Sequence, residues 1–326
     1  MINLTDFVIK SETLGHVDKA DFHFAFGVDK NFVPPMGIML TSLALNNLNR
    51  NFKVYAFINS IFDEDIKKLR AFVAATPNIE LDMYRVDEAA FADFHVDKGY
   101  TAAVYNRILI AQILYPAIEK LIYIDADTLC VGDVSELATL DFDGNILMAV
   151  LDRGDWLVEH KPNIGLKPDE PYYNSGFLYI DLRRWNEFDL SAKMMELLHE
   201  RRLTLQDQDA INLLTRHLTK PLPRRFNQFL LLREEPTEVP PDTIFIHFAG
   251  RIKPWQPWCD HPQRAIYDEY RNRSLWREYE YRPRDYQEQR LMGMAMRRRG
   301  QWLSAAKYYA RYVDQKISYK LSEHDD

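Results

Sequence analysis

Short apolar runs recur along the chain, separated by stretches in which apolar residues return every three or four positions. That is strand-like periodicity alternating with helix-like periodicity. The runs predict strands at 22–28, 54–58, 79–85, 120–125, 147–151, 177–182 and 243–247, and the helical spacing predicts helices at 35–46, 63–74, 105–115, 192–202 and 207–217. Strands and helices in alternation imply an α/β fold, a mostly parallel sheet covered by helices. Internal repeats and low-complexity tracts are absent. The Pro-rich connection 235–241 leads into the last strand, and the composition changes near Pro283. The expected organisation is an N-terminal extension at 1–21, one α/β domain at 22–262 and a helical region at 263–326.

A chain of 326 residues can bury a sizeable core as one large domain or as one domain plus an appendage. No segment approaches the roughly 20 apolar residues that span a bilayer, and residues 1–12 lack the basic-then-apolar layout of a signal peptide. The expectation is a cytoplasmic protein. Cys130 and Cys259 form neither a disulfide framework nor a zinc pattern. Net charge is -7, but residues 282–320 carry ten Lys/Arg against three Asp/Glu, a local +7, so the remainder carries -14. A basic tail on an acidic body points to an anionic surface as partner. The acidic body would repel a phosphate backbone, which disfavours nucleic acid.

The most informative stretch is Lys120-Leu-Ile-Tyr-Ile-Asp-Ala-Asp127, an apolar strand ending in two carboxylates on alternate residues. Residues i and i+2 of a strand share a face, and ligands of open α/β sheets bind at the carboxyl ends of strands. Asp125 and Asp127 are therefore candidate ligands for Mn²⁺ or Mg²⁺, which would in turn hold a diphosphate. The spacing alone is unspecific, since Asp63/Asp65, Asp141/Asp143 and Asp207/Asp209 share it. The apolar run before Asp125 is what singles it out, because carboxylates buried there need compensation.

Other polar junctions supply further candidates. Gly27-Val-Asp29-Lys-Asn31 follows the first strand and either contacts a base and ribose or makes a strand-ending turn. Arg107 either pairs with an anion or is a solvated helical residue. Asn174 and Gly176 suit a sugar hydroxyl or a turn before a buried strand. Asp207, Gln208 and Asp209 precede an amphipathic helix, where one carboxylate is by default an N-cap, yet the cluster is richer in acceptors than capping needs. His247-Phe-Ala-Gly250-Arg-Ile-Lys253-Pro-Trp255 offers an imidazole as a third metal ligand, a glycine admitting backbone N–H groups to a phosphate, and a lysine charge for a diphosphate.

In this order, Tyr-Ile-Asp-Ala-Asp, Tyr-Asn-Ser-Gly-Phe, Asp-Gln-Asp and His-Phe-Ala-Gly-x-x-Lys-Pro-Trp resemble the family-eight retaining glycosyltransferases, especially the lipopolysaccharide core glucosyl- and galactosyltransferases. The resemblance runs from about Phe22 to Trp258, and the segment beyond Pro262 is similar to the C-terminal domain of the lipopolysaccharide members. It implies a GT-A type domain with a UDP-sugar cleft. Asp125, Asp127 and His247 would bind the metal, and Gly27, Asp29 and Asn31 the uracil and ribose. Gly250 and Lys253 would face the phosphates. Arg107, Asp152, Asn174, Asp207 and Gln208 would surround the donor hexose. Bound metal and Lys253 would stabilise the leaving diphosphate, with Gln208 as polar stabiliser of a same-face attack and Asp207 as the reserve nucleophile.

Between residues 300 and 320, Trp302, Ala306, Tyr309, Val313 and Ile317 fall on one helical stripe bordered by Lys307, Arg311, Lys316 and Lys320. Such a helix packs on its own domain or lies in a membrane interface. Arg297-Arg298-Arg299 and the +7 balance favour the membrane, and a lipid-anchored acceptor at the cytoplasmic face of the inner membrane would explain the need. The competing readings are transfer to another glycan or protein, and a non-catalytic membrane-associated binding module.

Overall fold

A computed structural model describes residues 4–91, 94 and 102–322. The elements in chain order are β1 (Val8–Leu14), β2 (Phe22–Val28), α1 (Val33–Asn46), β3 (Phe52–Ile58), α2 (Asp63–Ala74), β4 (Ile79–Val86), α3 (Asn106–Leu114), β5 (Lys120–Ile124), β6 (Thr128–Cys130), β7 (Leu147–Leu151), α4 (Leu157–Ile164), β8 (Tyr173–Asp181), α5 (Leu182–Glu187), α6 (Leu190–Glu200), α7 (Gln206–Thr215), β9 (Thr219–Leu222), β10 (Gln228–Phe229), β11 (Phe245–His247), α8 (Arg264–Arg273), α9 (Tyr286–Arg298) and α10 (Trp302–Ser322), together with short 3₁₀ turns.

Eight strands form the main sheet in the order β1-β4-β3-β2-β5-β8-β7-β9. The half from β4 to β5 is parallel, as expected. Beyond it β8 runs antiparallel to both β5 and β7, and β1 lies antiparallel on β4 at the other edge. The sheet is thus mixed. Reversal of β8 has a functional consequence: its first residues come to lie beside the end of β5, where Asp125 N–H donates to Gly176 O.

Strand alternation divides the apolar side chains between two cores. Phe22, Phe24, Phe26, Ile122 and Ile124 face α1 on one side of the sheet, while Ala25, Leu121 and Tyr123 face α3 and α5–α7 on the other. Burial on both faces is what the near-continuous apolar runs of β2 and β5 encode. The first core continues past residue 262, taking in Tyr267, Tyr270 and Trp276. Trp276 lies on Gly37, where any side chain would overlap its ring, and donates to Asp65 from within the same core.

A second, three-stranded sheet, β10-β11-β6, carries the other half of the site. Its register pairs His247 with Thr128 and so sets His247 beside Asp127. The expected strand at 243–247 is shorter, and β1, β6, β9 and β10 were not legible as periodic runs. Each is short or, like β1, mostly polar and half exposed.

At the C-terminal end, α10 packs along α9: Tyr309 lies on Gly293, and the Tyr286 ring packs at a tilt against Tyr312 and Tyr319. The expected stripe is therefore split. Tyr309 turns inward with the buried Ala305, whereas Trp302, Ala306, Val313 and Ile317 face outward. Within the basic run, Arg298 pairs with Asp260 and Arg299 donates to Pro257 O, so both guanidinium groups anchor α9 to the body. The side chain of Lys320 lies outside the described residues.

Candidate functional site

Asp125 and Asp127 do not meet through strand pleating. β5 ends at Ile124, and Asp125-Ala126-Asp127 forms a turn into β6, closed by Thr128 Oγ1 donating to Asp125 O. The turn sends the two carboxylates to different supports, and a ligand atom of each still lies within 4.8 Å of the other and of His247.

Asp125, partly buried, belongs to a cluster built around the buried Arg107 cation. Its Oδ1 accepts from Arg107 Nη2 and from Tyr123 Oη, both at 3.1 Å. Arg107 also donates to Ser175 O at 2.8 Å, and its Nε lies 2.9 Å from Asp207 Oδ2, off the hydrogen-bonding direction. Arg107 is thus a buried ion-pair centre and not a solvated helical residue. Burial disfavours its charge, but Asp207, Tyr123 and Asp125 outweigh that and raise its pKa. For Asp207 burial prevails over Arg107, pushing the carboxyl up to about 6.

Asp127 is supported from the other side. Lys253 Nζ donates to its Oδ2 and to Phe248 O, and His247 Nε2 stands 3.4 Å from its Oδ1. Burial would raise its pKa, yet Lys253 and His247 hold it below the usual carboxylate range. Asp127 Oδ1 is nevertheless buried without a hydrogen-bond partner among the described residues. A buried, ionised oxygen left unpaired costs more than it gains unless a cation is shared with it. Two carboxylates and one imidazole form a donor set that fits a hard to borderline divalent ion, so the residues present suit the expected metal.

Between these clusters lies an amide network. Gln208 Oε1 accepts from Ser175 N (3.0 Å), Ser175 Oγ (3.2 Å) and Asn174 Nδ2 (3.2 Å), while its Nε2 donates to Asp152 Oδ2 (3.0 Å) and Tyr172 Oη (3.3 Å). Asn174 Nδ2 also reaches Asp152 Oδ2 at 3.2 Å. Asp152, Asn174, Asp207 and Gln208 are thereby brought together with Arg107. Asp209 is the structural member of its cluster, accepting from Leu205 N, His160 and Tyr172. Gln206, just before Asp207, holds the left-handed backbone (φ 45°) uncommon for a non-glycine residue, and both polar atoms of its buried side chain lack partners among the described residues.

Two glycines act through packing. A side chain at Gly27 would overlap Ala103 O and Asn106, so Gly27 lets the segment bearing Arg107 close onto β2. At Gly176 it would overlap the His247 ring. Asp29 makes the turn that was its alternative reading, accepting from Asn31 N and Phe32 N. Gly250 has the left-handed backbone (φ 82°) that suits glycine.

Sequence patterns missed Asn212 and Asn227. Asn212 brackets Tyr173, accepting from its N–H and donating to its carbonyl, and so docks α7 on β8 with Gln208 one helical turn earlier. Its four-residue spacing from Gln208 was a usable signal. Asn227 bonds both Asn174 and His247. It lies in no apolar pattern that would have drawn notice.

Residues 23–259 match the family described as glycosyl transferase family 8. The lipopolysaccharide 1,2-glucosyltransferase of Escherichia coli K12 is 28% identical over 78% of this chain and 78% of its own length. The lipopolysaccharide 1,3-galactosyltransferase of Salmonella typhimurium is 28% identical over 80% of this chain and 81% of its own. In fold, the galactosyltransferase LgtC, solved in complex with donor and acceptor sugar analogs, superposes with a TM-score of 0.66 at 21% identity, covering 79% of this chain and 99% of that one. The mixed sheet, the paired carboxylates at the end of β5 and the match over most of the chain agree: this is a GT-A type fold, and the chain belongs to glycosyl transferase family 8.

Proposed function

We propose that this chain is a retaining hexosyltransferase that moves glucose or galactose from a UDP-sugar to a lipopolysaccharide core acceptor, with Mn²⁺ or Mg²⁺ as its metal. One observation carries the reading: the unpartnered, buried Asp127 Oδ1 facing His247 Nε2, with Asp125 beside them. Family membership and two relatives named for lipopolysaccharide glucosyl and galactosyl transfer support the donor and acceptor classes.

Asp125, Asp127 and His247 would hold the metal, which when bound supplies a Lewis acid for the departing diphosphate. Lys253, fixed on Asp127, adds a second positive charge where negative charge develops on the leaving oxygen. Gly250 brings backbone near the phosphates, and Gly27, Asp29 and Asn31 form the uridine end. Arg107, Asp152 and Asn174 line the hexose together with Asp207 and Gln208. Same-face attack remains the favoured route to retention. Because Gln208 Oε1 already accepts from three groups, it orients the first residues of β8 and can face a developing oxocarbenium only by giving up one of them. Asp207, a carboxylate at neutral pH despite its burial, is the reserve nucleophile.

The acceptor reading puts the enzyme in the cytoplasm, peripheral to the inner membrane. Among the described residues no helix is long and apolar enough to cross a membrane. On α10, Trp302 (67% exposed), Leu303 (91%), Val313 (51%) and Ile317 (55%) present apolar surface flanked by Lys307 and Arg311, the arrangement that lies in an anionic interface.

The test is UDP-sugar hydrolysis with and without Mn²⁺, alongside thermal unfolding in UDP-glucose and UDP-galactose. Metal-dependent hydrolysis is expected, and the true donor should raise Tm more than its epimer because it binds only the folded chain. Hydrolysis unaffected by a chelator would sink the metal reading. Equal protection by both sugars would overturn the expectation of one preferred donor.

A further inference from the structure

Asn227, 1% exposed, sits between a 3₁₀ turn at Arg224–Phe226 and β10, and none of the assigned roles uses it. Its Nδ2 donates to Asn174 Oδ1 at 2.9 Å, and its Oδ1 lies 3.0 Å from His247 Nδ1. The direction of these bonds follows from one backbone group. Gly176 N–H points at Asn174 Oδ1 from 2.9 Å. Turning the Asn174 amide over would set its NH₂ against that N–H and its oxygen against the Asp152 carboxylate, donor to donor and acceptor to acceptor.

Asn174 therefore presents its oxygen to Asn227, and Asn227 answers with its NH₂. Its carbonyl is left facing His247, so Nδ1 carries the proton. In the neutral imidazole the lone pair then sits on Nε2, 3.4 Å from the unpartnered Asp127 Oδ1. The ring has little freedom to escape. Any side chain at residue 176 would overlap Cε1, and the Phe229 ring packs edge-on, 5.9 Å between centroids. Two acceptors converge in a buried site, as at a metal site whose histidine is oriented through its other nitrogen.

We infer that Asn227 is a positioning residue of the metal centre: it locks His247 in the Nδ1–H tautomer and so aims the Nε2 lone pair at the ion held by Asp127 and Asp125. The inference rests on the metal reading given above. A chain of hydrogen bonds from the backbone of β8 thus sets a ligand on β11, and the hexose-side residue Asn174 is its middle link. Donor site and metal site share one amide relay.

The experiment measures Mn²⁺ affinity by titration calorimetry and the His247 tautomer from imidazole ¹⁵N shifts at pH 9 in the metal-free protein. The unaltered chain is expected to carry the proton on Nδ1. Asn227→Leu, which removes both bonds, should move it to Nε2 and weaken Mn²⁺ binding about 10- to 100-fold, with the folded circular-dichroism spectrum as control. Asn227→Asp loses the donor to Asn174 Oδ1 but keeps an acceptor for Nδ1–H, and should restore the tautomer. A proton on Nε2 in the unaltered chain overturns the inference without any variant, should the leucine variant fail to fold. So does a leucine variant that keeps the tautomer or binds Mn²⁺ within twofold of the unaltered chain, or an aspartate variant that carries the proton on Nε2. Absence of Mn²⁺ binding by the unaltered chain is a different result: it removes the metal reading itself, and this inference with it.

Discussion

Around the end of β5 the molecule buries charge, and along α10 it exposes apolar surface. Arg107, Asp127, Asp207 and His247 lie inside, compensated by one another, while Trp302 and Leu303 lie outside with no apolar cover among the described residues. Both regions reverse the ordinary rule of polarity, for opposite physical reasons. At β5, ion pairs and amide bonds make burial tolerable, and what they leave unsatisfied, Asp127 Oδ1, marks where a cation belongs. On α10 the inward face is already used against α9, and the outward apolar stripe is left exposed among the described residues. An informative buried polar group and an informative exposed apolar patch thus occur in one chain.

If internal compensation is what permits charge at β5, removing its central cation should produce the largest effect. Arg107→Met leaves Asp207 and Asp125 without their buried partner. The chain is expected to lose about 3–5 kcal/mol of stability, the range for breaking a buried pair from one side, read from urea unfolding. A loss below 1 kcal/mol would mean that water or rearrangement compensates these carboxylates, and the contrast with α10 would narrow. Next in size is Asp127→Asn, which keeps shape but removes a ligand charge. It is expected to lower metal-dependent hydrolysis about 100-fold or more and to lower Tm, since Lys253 loses its buried carboxylate partner, while the chain stays folded. Near-unaltered turnover in Mn²⁺ would make Asp127 a structural partner of Lys253.

A smaller effect belongs to Asp207. Burial raises its pKa to about 6, the Arg107 charge only partly opposing it. The carboxylate form, populated above that value, is the one able to accept from a sugar hydroxyl or attack carbon. Donor kcat/KM should rise about tenfold from pH 5 to pH 7, and Asp207→Asn should lose that limb. Stability has the opposite sign. A carboxyl whose folded pKa is raised contributes fully below its unfolded value near 4, and that contribution is lost as pH rises through 6. A profile flat from pH 5 to 7 would remove Asp207 from the chemistry.

How far these regions were legible in sequence also differs. The strands of the parallel half and α1–α3 follow from periodicity, because burial on both faces writes near-continuous apolar runs. Asp125, Asp127 and His247 were found because each ends such a run. What failed had no local signature. The antiparallel course of β8 is decided by sheet packing, and Asn227 acts through bonds to residues 53 and 20 positions away. The turn at Asp125–Asp127 was misread as a strand continuation, since a carboxylate pair reads alike in both. On α10 the stripe was visible, but its partition between Gly293 and solvent depended on a partner helix that had not been expected.

The outward stripe of α10 supplies the last test, with the smallest expected change in chemistry. Replacing Trp302, Leu303, Val313 and Ile317 by Ser leaves Ala305 and Tyr309 to hold α10 on α9, so the fold should persist. Each side chain moved from water into an apolar layer is worth roughly 1.5–3 kcal/mol when fully buried. Even partial insertion predicts at least about tenfold weaker binding to vesicles containing anionic lipid. UDP-sugar hydrolysis should stay within twofold, because none of the four residues touches the donor site. Added salt should weaken vesicle binding of the unaltered chain only in part, since screening acts on Lys307 and Arg311 and spares the stripe. A variant that binds vesicles like the unaltered chain would show the exposed stripe to be without a membrane role. One that precipitates or loses hydrolysis would assign α10 to the folded core, and the contrast with the β5 cluster would disappear.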